Sequence, residues 1–340
     1  MTQIKVLVVD DSALARDMIT AILSTDRDIR VIGQAANGRE AVAMAQELKP
    51  DIVTMDIEMP VMNGIEALEA IMASHAVPVL VISSKGDART AYSAVSKGAL
   101  EIVPKSDIDP ETPSLLTEKI KLLSRVRVIT HIRSNHSGLK EARRPRPPQM
   151  QSTLCQIVAI ASSTGGPKAL SELLPVFPER FPCPVVIAQH ISDGFISGMI
   201  DWLKRLTRLQ IKLGEEGEPI VAGTAYVSPS ERHMAIGPGK KIVMIDRKPK
   251  DVYHPSCDIL LSSAASVYGA SCIGVILTGM GDDGVAGMGR IKACGGTTIA
   301  QDEKSSAIFG MPKVAIEKGC IDKVLSLGKI AAEIMNLIRN

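Results

Sequence analysis

The 340-residue chain has almost no net charge: 39 Lys and Arg against 37 Asp and Glu leave +2. A balance this even gives no electrostatic reason to expect nucleic acid or a membrane surface as partner. There is no C-x-x-C pair. The six cysteines, Cys155, Cys183, Cys257, Cys272, Cys294 and Cys320, lie far apart and several sit inside apolar runs. They read as reduced core residues, not as a disulfide frame or a zinc motif. No apolar run reaches the roughly 18 residues needed to cross a bilayer. The opening MTQIKVLVVDD runs straight into a strand pattern, with no basic segment, apolar signal core or cleavage site. The expectation is a cytoplasmic protein without membrane insertion.

What is present suggests two α/β domains, with 45% apolar residues to supply both cores. Over Met1–Arg127, five strand-like runs alternate with five helical patterns. This rhythm predicts a doubly wound five-stranded parallel sheet, with ligands bound beyond the carboxyl ends of its strands. Those ends carry Asp10 and Asp11, then Asp56, Ser83 and Lys105. Acidic residues often end strands, so any one of these says little; all five at successive strand ends form a constellation. Three carboxylates in one crevice repel unless a cation joins them, and an all-oxygen set with room for water suits Mg²⁺. One carboxylate can then attack a phosphoryl donor, with Lys105 and the Ser83 hydroxyl balancing the charge of the product.

VLVVDDSALAR, DIVTMDIEMPVMNGIEAL, VISS and IVPKS resemble the receiver domain of two-component response regulators across this whole segment. The resemblance implies that Asp56 is phosphorylated by a histidine kinase. It also implies that Asp10 and Asp11 hold Mg²⁺ with Asp56, and that Ser83 and Lys105 contact the phosphoryl group. Ile102 stands where an aromatic switch residue is frequent, and Ser106 where proline usually follows the lysine. Both bear on how a signal leaves the domain, and Ser106 on the turn that aims Lys105. The stretch Val128–Thr153, crowded with Pro, Ser, Gly and basic residues, reads as an exposed tether, semi-extended around Pro145–Pro148. Arg143, Arg144 and Arg146 read as solvated linker charge, and His131 and His136 have no ligand-spaced companions.

Over Leu154–Asn340 the pattern is again α/β, with antiparallel hairpins expected around Gly217–Ile245. LCQIVAIASSTGGPK opens as a buried strand, passes through Ser162-Ser163-Thr164 and breaks at two glycines before a helix. A hydroxyl there meets the free N–H groups of a helix start, although a helix-capping serine turn is the commoner meaning of such a stretch. VVIAQHI places His190 at a second strand end, and GVILTGMGDDGVAG places Asp282 and Asp283 in a glycine-rich turn after a third. Parallel strands bring these ends to one edge, so a serine, His190 and one of the two aspartates can form a catalytic triad.

ASSTGGPKAL, AQHISDGF, HPSCDILLSSAA and LTGMGDDGVAGM resemble the catalytic domain of the chemotaxis protein-glutamate methylesterases, the CheB family, over essentially all of this segment. The order receiver, basic linker, catalytic domain is that family's architecture. The resemblance implies Ser163 as nucleophile, His190 as base and Asp283 as its orienting partner. Met280 would supply an oxyanion N–H, with Thr164 supporting the nucleophile. It further implies hydrolysis of methylated glutamates on chemoreceptors to glutamate and methanol, deamidation of receptor glutamines, no cofactor for hydrolysis, and a receiver that covers Ser163 until Asp56 is phosphorylated. His254 and Ser162 depart from the family's usual residues, which bears on substrate contacts more than on the chemistry. A DNA-binding output would need a recognition helix on a basic domain, and no such pattern is evident.

Overall fold

The computed structural model describes residues 3–84, 88–126, 128 and 157–339. The expected tether, with His131, His136 and Arg143, Arg144 and Arg146, lies outside the described residues apart from Val128, as does Cys155.

The first sheet is built from β1 (Ile4–Val9), β2 (Ile29–Ala35), β3 (Ile52–Met55), β4 (Val79–Ser83) and β5 (Glu101–Pro104), all parallel in the order β2-β1-β3-β4-β5. Helices α1 (Ala13–Ser24), α2 (Gly38–Leu48), α3 (Gly64–Ser74), α4 (Ala88–Ser96) and α5 (Pro113–Leu123) cross between them. β3 and β4 are buried along their whole length, as expected of strands covered by helices on both faces. The chain leaves β1 for β2 on one side and reaches β3 on the other, so the strand order reverses between β1 and β3. Such a reversal opens a crevice at the carboxyl edge, and Asp10, Asp11 and Asp56 stand on its rim.

The second sheet repeats this plan with seven parallel strands: β6 (Ile157–Ser162), β7 (Val185–Gln189), β8 (Gln210–Leu213), β9 (Thr224–Val227), β12 (Cys272–Ile276), β13 (Thr297–Gln301) and β14 (Lys323–Leu325), in the order β14-β13-β12-β6-β7-β9-β8. Between β9 and β12 lie β10 (Arg232–Gly237) and β11 (Lys241–Asp246), an antiparallel pair outside the main sheet. Helices α6 (Gly166–Leu173), α7 (Ile196–Lys204), α8 (Cys257–Tyr268), α9 (Val285–Ala293), α10 (Met311–Glu317) and α11 (Leu327–Arg339) complete the domain. The expected antiparallel pairing is met by β10 and β11 and by the segment 217–220, which runs antiparallel to the start of β11 with Pro219 bridging Lys241. β9 instead joins β7 in parallel, because α7 carries the chain across the sheet before β8 and β9 add to its edge. Here the order reverses between β6 and β12, the two strands that lead into Ser163 and Asp283.

The domains pack on one another through α4 and α7, where the rings of Tyr92 and Trp202 stack at 5.8 Å. Ser192 after β7 donates a hydrogen bond to Asp107 after β5 at 2.7 Å. No helix among the described residues is long and apolar enough to cross a membrane.

One local device holds the start of α3 beside Asp56. Asn63 accepts from the backbone N–H groups of Ile65 and Glu66, while Glu66 reaches back to the Asn63 N–H. Asn63→Ala removes this reciprocal cap. It is expected to cost about 1 kcal/mol, read as an earlier urea midpoint with an unchanged slope for the first domain's transition.

Candidate active site and phosphoacceptor site

β6 is apolar and buried throughout, and its hydrogen bonds to both neighbours fix where it ends. Gly165 then takes a left-handed φ of 77°, and α6 starts at Gly166-Pro167, proline being suited to a first turn because its missing N–H is not needed there. A side chain on Gly166 would lie 2.0 Å from Gln189 Oε1. The two hydroxyls at this turn have different fates. Ser162 is fully buried and its hydroxyl donates to Gln189 Oε1 at 2.6 Å. Ser163 lines a cavity of about 440 Å³ together with His190, Tyr253 and Met280, and among the described residues its hydroxyl has no hydrogen-bond partner.

His190 follows β7 and is brought to the same edge, its backbone N–H donating to Ser162 O. Its Nε2 lies 2.8 Å from Asp283 Oδ2, which leaves Nδ1 as the nitrogen available to a hydroxyl. The Tyr253 ring stacks on the imidazole at 5.1 Å, nearly parallel. Asp283 comes from the turn after β12 and rests on the first turn of α8. Besides His190 it accepts from the Cys257 N–H at 2.6 Å, the Asp258 N–H at 2.9 Å and the Ser256 hydroxyl at 3.2 Å. Burial alone would raise its carboxyl. The His190 contact and the helix-start N–H groups outweigh burial and hold it below the usual carboxylate value. The neighbouring Asp282 instead accepts from the Tyr253 hydroxyl at 3.3 Å. The loop Thr278–Met280 presses on the serine: a side chain on Gly279 would lie 2.6 Å from Ser163 Cβ. Met280 N–H and Thr164 N–H are uncommitted among the described residues, while Thr164 O is 3.0 Å from the Thr278 hydroxyl.

The sequence reading assigns no role to three contributors. Gln189 is buried and donates from Nε2 to both Ser163 O and His190 O, tying two strand ends together. Cys257 is wholly buried, its Sγ 3.4 Å from His190 Nε2, and burial pushes its thiol well up. Asp258 accepts from Gly284 and Gly287 and so fixes the turn beyond Asp283. The placement of Gln189 immediately before His190, and of Ser256-Cys257-Asp258 at a helix start, were the only available hints.

At the first sheet's edge, Asp10, Asp11 and Asp56 each offer an oxygen within 4.8 Å of the others. Lys105 Nζ lies 2.8 Å from both Asp56 Oδ2 and Asp10 Oδ2, but aligns as a hydrogen bond only to Asp56, leaving the buried Asp10 oxygen without one. Burial raises the Asp56 carboxyl, and the nearby Asp10 adds to this. The Asp10 oxygen left without a hydrogen bond, the mutual repulsion and the all-oxygen donor set fit Mg²⁺. Ser83 is buried at the end of β4. Ser106 is exposed, and the turn that contains it is closed by Ile108 N–H on Lys105 O at 3.2 Å. Ile102 is half-buried and belongs, with Leu100, Asp107, Leu116 and Lys119 among others, to the first domain's side of the cavity that Ser163 lines.

The description "CheB methylesterase" fits residues 158–334 and "Response regulator receiver domain" fits residues 6–120. A protein-glutamate methylesterase/protein-glutamine glutaminase from Paramagnetospirillum magneticum is 46% identical over 98% of this chain and 96% of its own length. Its namesake from Pyrococcus horikoshii is 40% identical over 99% and 94%. Among solved structures, the catalytic domain of Thermotoga maritima CheB methylesterase matches with a TM-score of 0.53 at 37% identity, over 54% of this chain and all of that one. With matches to both halves and along nearly its whole length, the chain belongs to the CheB methylesterase family, a response regulator receiver joined to a methylesterase domain.

Proposed function

We propose that this protein is a phosphorylation-controlled serine hydrolase. It removes methyl groups from glutamate esters on chemoreceptors, releasing methanol, and deamidates receptor glutamines by the same route. The observation that carries the reading is the His190–Asp283 pair at 2.8 Å, opening on the cavity that Ser163 lines. Domain roles follow as 1–127 receiver, 128–153 linker and 154–340 catalytic domain.

In this mechanism Asp283 fixes the imidazole with its proton on Nε2. Nδ1 takes the Ser163 proton as Oγ attacks the acyl carbon. The negative oxygen of the tetrahedral intermediate is met by the Met280 N–H, with Thr164 bracing the serine turn. His190 returns the proton to the departing methanol, or to ammonia from an amide, and water then releases glutamate by the same steps in reverse. In the receiver, Asp56 accepts the phosphoryl group from a histidine kinase, and Lys105 and Ser83 contact it. Asp10, Asp11 and Asp56 would hold Mg²⁺, which when bound offsets the gathered negative charge. Receptor methylation sites lie on cytoplasmic helices, so a cytoplasmic location belongs to this reading.

The receiver residues that line the Ser163 cavity, Ile102 and Leu116 among them, support control by shielding. Phosphorylation of Asp56 then shifts the population from closed to open, a coupling of roughly 1–3 kcal/mol, or about 5–150-fold in rate.

Methanol release from methylated receptor cytoplasmic domains tests the chemistry. Ser163→Ala is expected to reduce it by at least about 10³; equal release from both proteins would remove Ser163 from its role. With a small acyl phosphate donor, chelation of Mg²⁺ should abolish the stimulated rate and leave the basal rate in place. Trp202→Ala, which removes the ring stacked on Tyr92, should raise the unphosphorylated rate several-fold; an unchanged rate would speak against shielding.

A further inference from the structure

Cys257 has no task in hydrolysis, yet its side chain is placed at the centre of the site. Its Sγ is 3.4 Å from His190 Nε2, and the same nitrogen is 2.8 Å from Asp283 Oδ2. Nitrogen, sulfur and carboxylate oxygen all fall within 4.8 Å of one another. Tetrahedral zinc, with bonds of about 2.0 Å to nitrogen and 2.3 Å to sulfur, sets those two ligands about 3.5 Å apart. The imidazole and thiol already have that spacing, and the carboxylate needs to retreat by only about half an ångström. Imidazole, thiolate and carboxylate together select zinc over a hard cation, whereas the three receiver aspartates offer oxygen alone. Of the three ligands, His190 lines the cavity with Ser163 and Tyr253, and Cys257 and Asp283 are buried behind it.

We propose that His190 Nε2, Cys257 Sγ and Asp283 Oδ2 form a zinc site that switches the hydrolase off. Zinc takes the Nε2 lone pair, so the imidazole proton resides on Nδ1, and the Cys257 thiol releases its proton to solvent. Nδ1 then has no lone pair with which to take the Ser163 proton, and Asp283 becomes a ligand where it had been the orienting partner. The inhibitory half rests on the hydrolase reading above; the metal site does not.

The test uses the full chain in excess Mg²⁺, to keep the receiver carboxylates occupied, with one equivalent of Zn²⁺. Zinc K-edge X-ray absorption should show one sulfur at about 2.3 Å with nitrogen and oxygen at about 2.0 Å. The sulfur should be lost in Cys257→Ser. A spectrum with no sulfur, or one whose sulfur persists in the variant, would overturn the site. In the methanol assay, zinc should stop turnover, excess EDTA followed by Mg²⁺ should restore it, and Cys257→Ser should need at least about tenfold more zinc for half-inhibition. Equal zinc sensitivity of the two proteins would overturn the switch. If the untreated protein released no methanol, the hydrolase reading would have failed, and the absorption spectrum would still decide the site.

Discussion

The seating of the Asp283 carboxylate on the first turn of α8 is the interaction on which the catalytic domain's chemistry depends. Helix-start N–H groups need an acceptor, and a buried carboxylate needs donors; each satisfies the other. Because Cys257 and Asp258 fix one side of the carboxylate, its remaining direction is set, and that direction meets His190. The imidazole is thus oriented from behind by an element distant in sequence, and Tyr253 closes over its face. Gln189 does the corresponding work for the backbone, joining the ends of β6 and β7 by donating to both Ser163 O and His190 O.

Both halves of the molecule solve the same topological problem. A parallel sheet whose strand order reverses leaves a crevice that no connection covers, and polar side chains there are reached by solvent and ligand without exposing the core. In the receiver the crevice lies between β1 and β3 and gathers carboxylates; in the catalytic domain it lies between β6 and β12 and gathers a hydroxyl, an imidazole and a carboxylate. The chemistry differs because the residues at the strand ends differ.

That regularity explains what could be read in advance. Ser163, His190, Asp283, Asp10, Asp56 and Lys105 all lie just beyond apolar strands, where a linear pattern and its topology suffice to place them. The edge strands β8 and β14, four and three residues long and partly exposed, lack the largely apolar run that marks the similarly short, buried β3. α10 is hidden between a glycine-proline start and a glycine end. β9 was open to misreading because Gly- and Pro-punctuated sequence on both sides resembles a meander, while its true partner was decided by a helical crossover. Cys257 and Asp258 act on residues some 25 to 67 positions away, and such contacts leave no local trace.

The contact between α4 and α7 has an optical consequence. The chain has a single tryptophan, Trp202, and its ring is buried against Tyr92 of the other domain. Separation of the receiver would move that indole from an apolar, stacked setting into water. Its emission would then shift to longer wavelength, so the protein carries its single tryptophan as a reporter at the seam between its phosphoacceptor and catalytic halves.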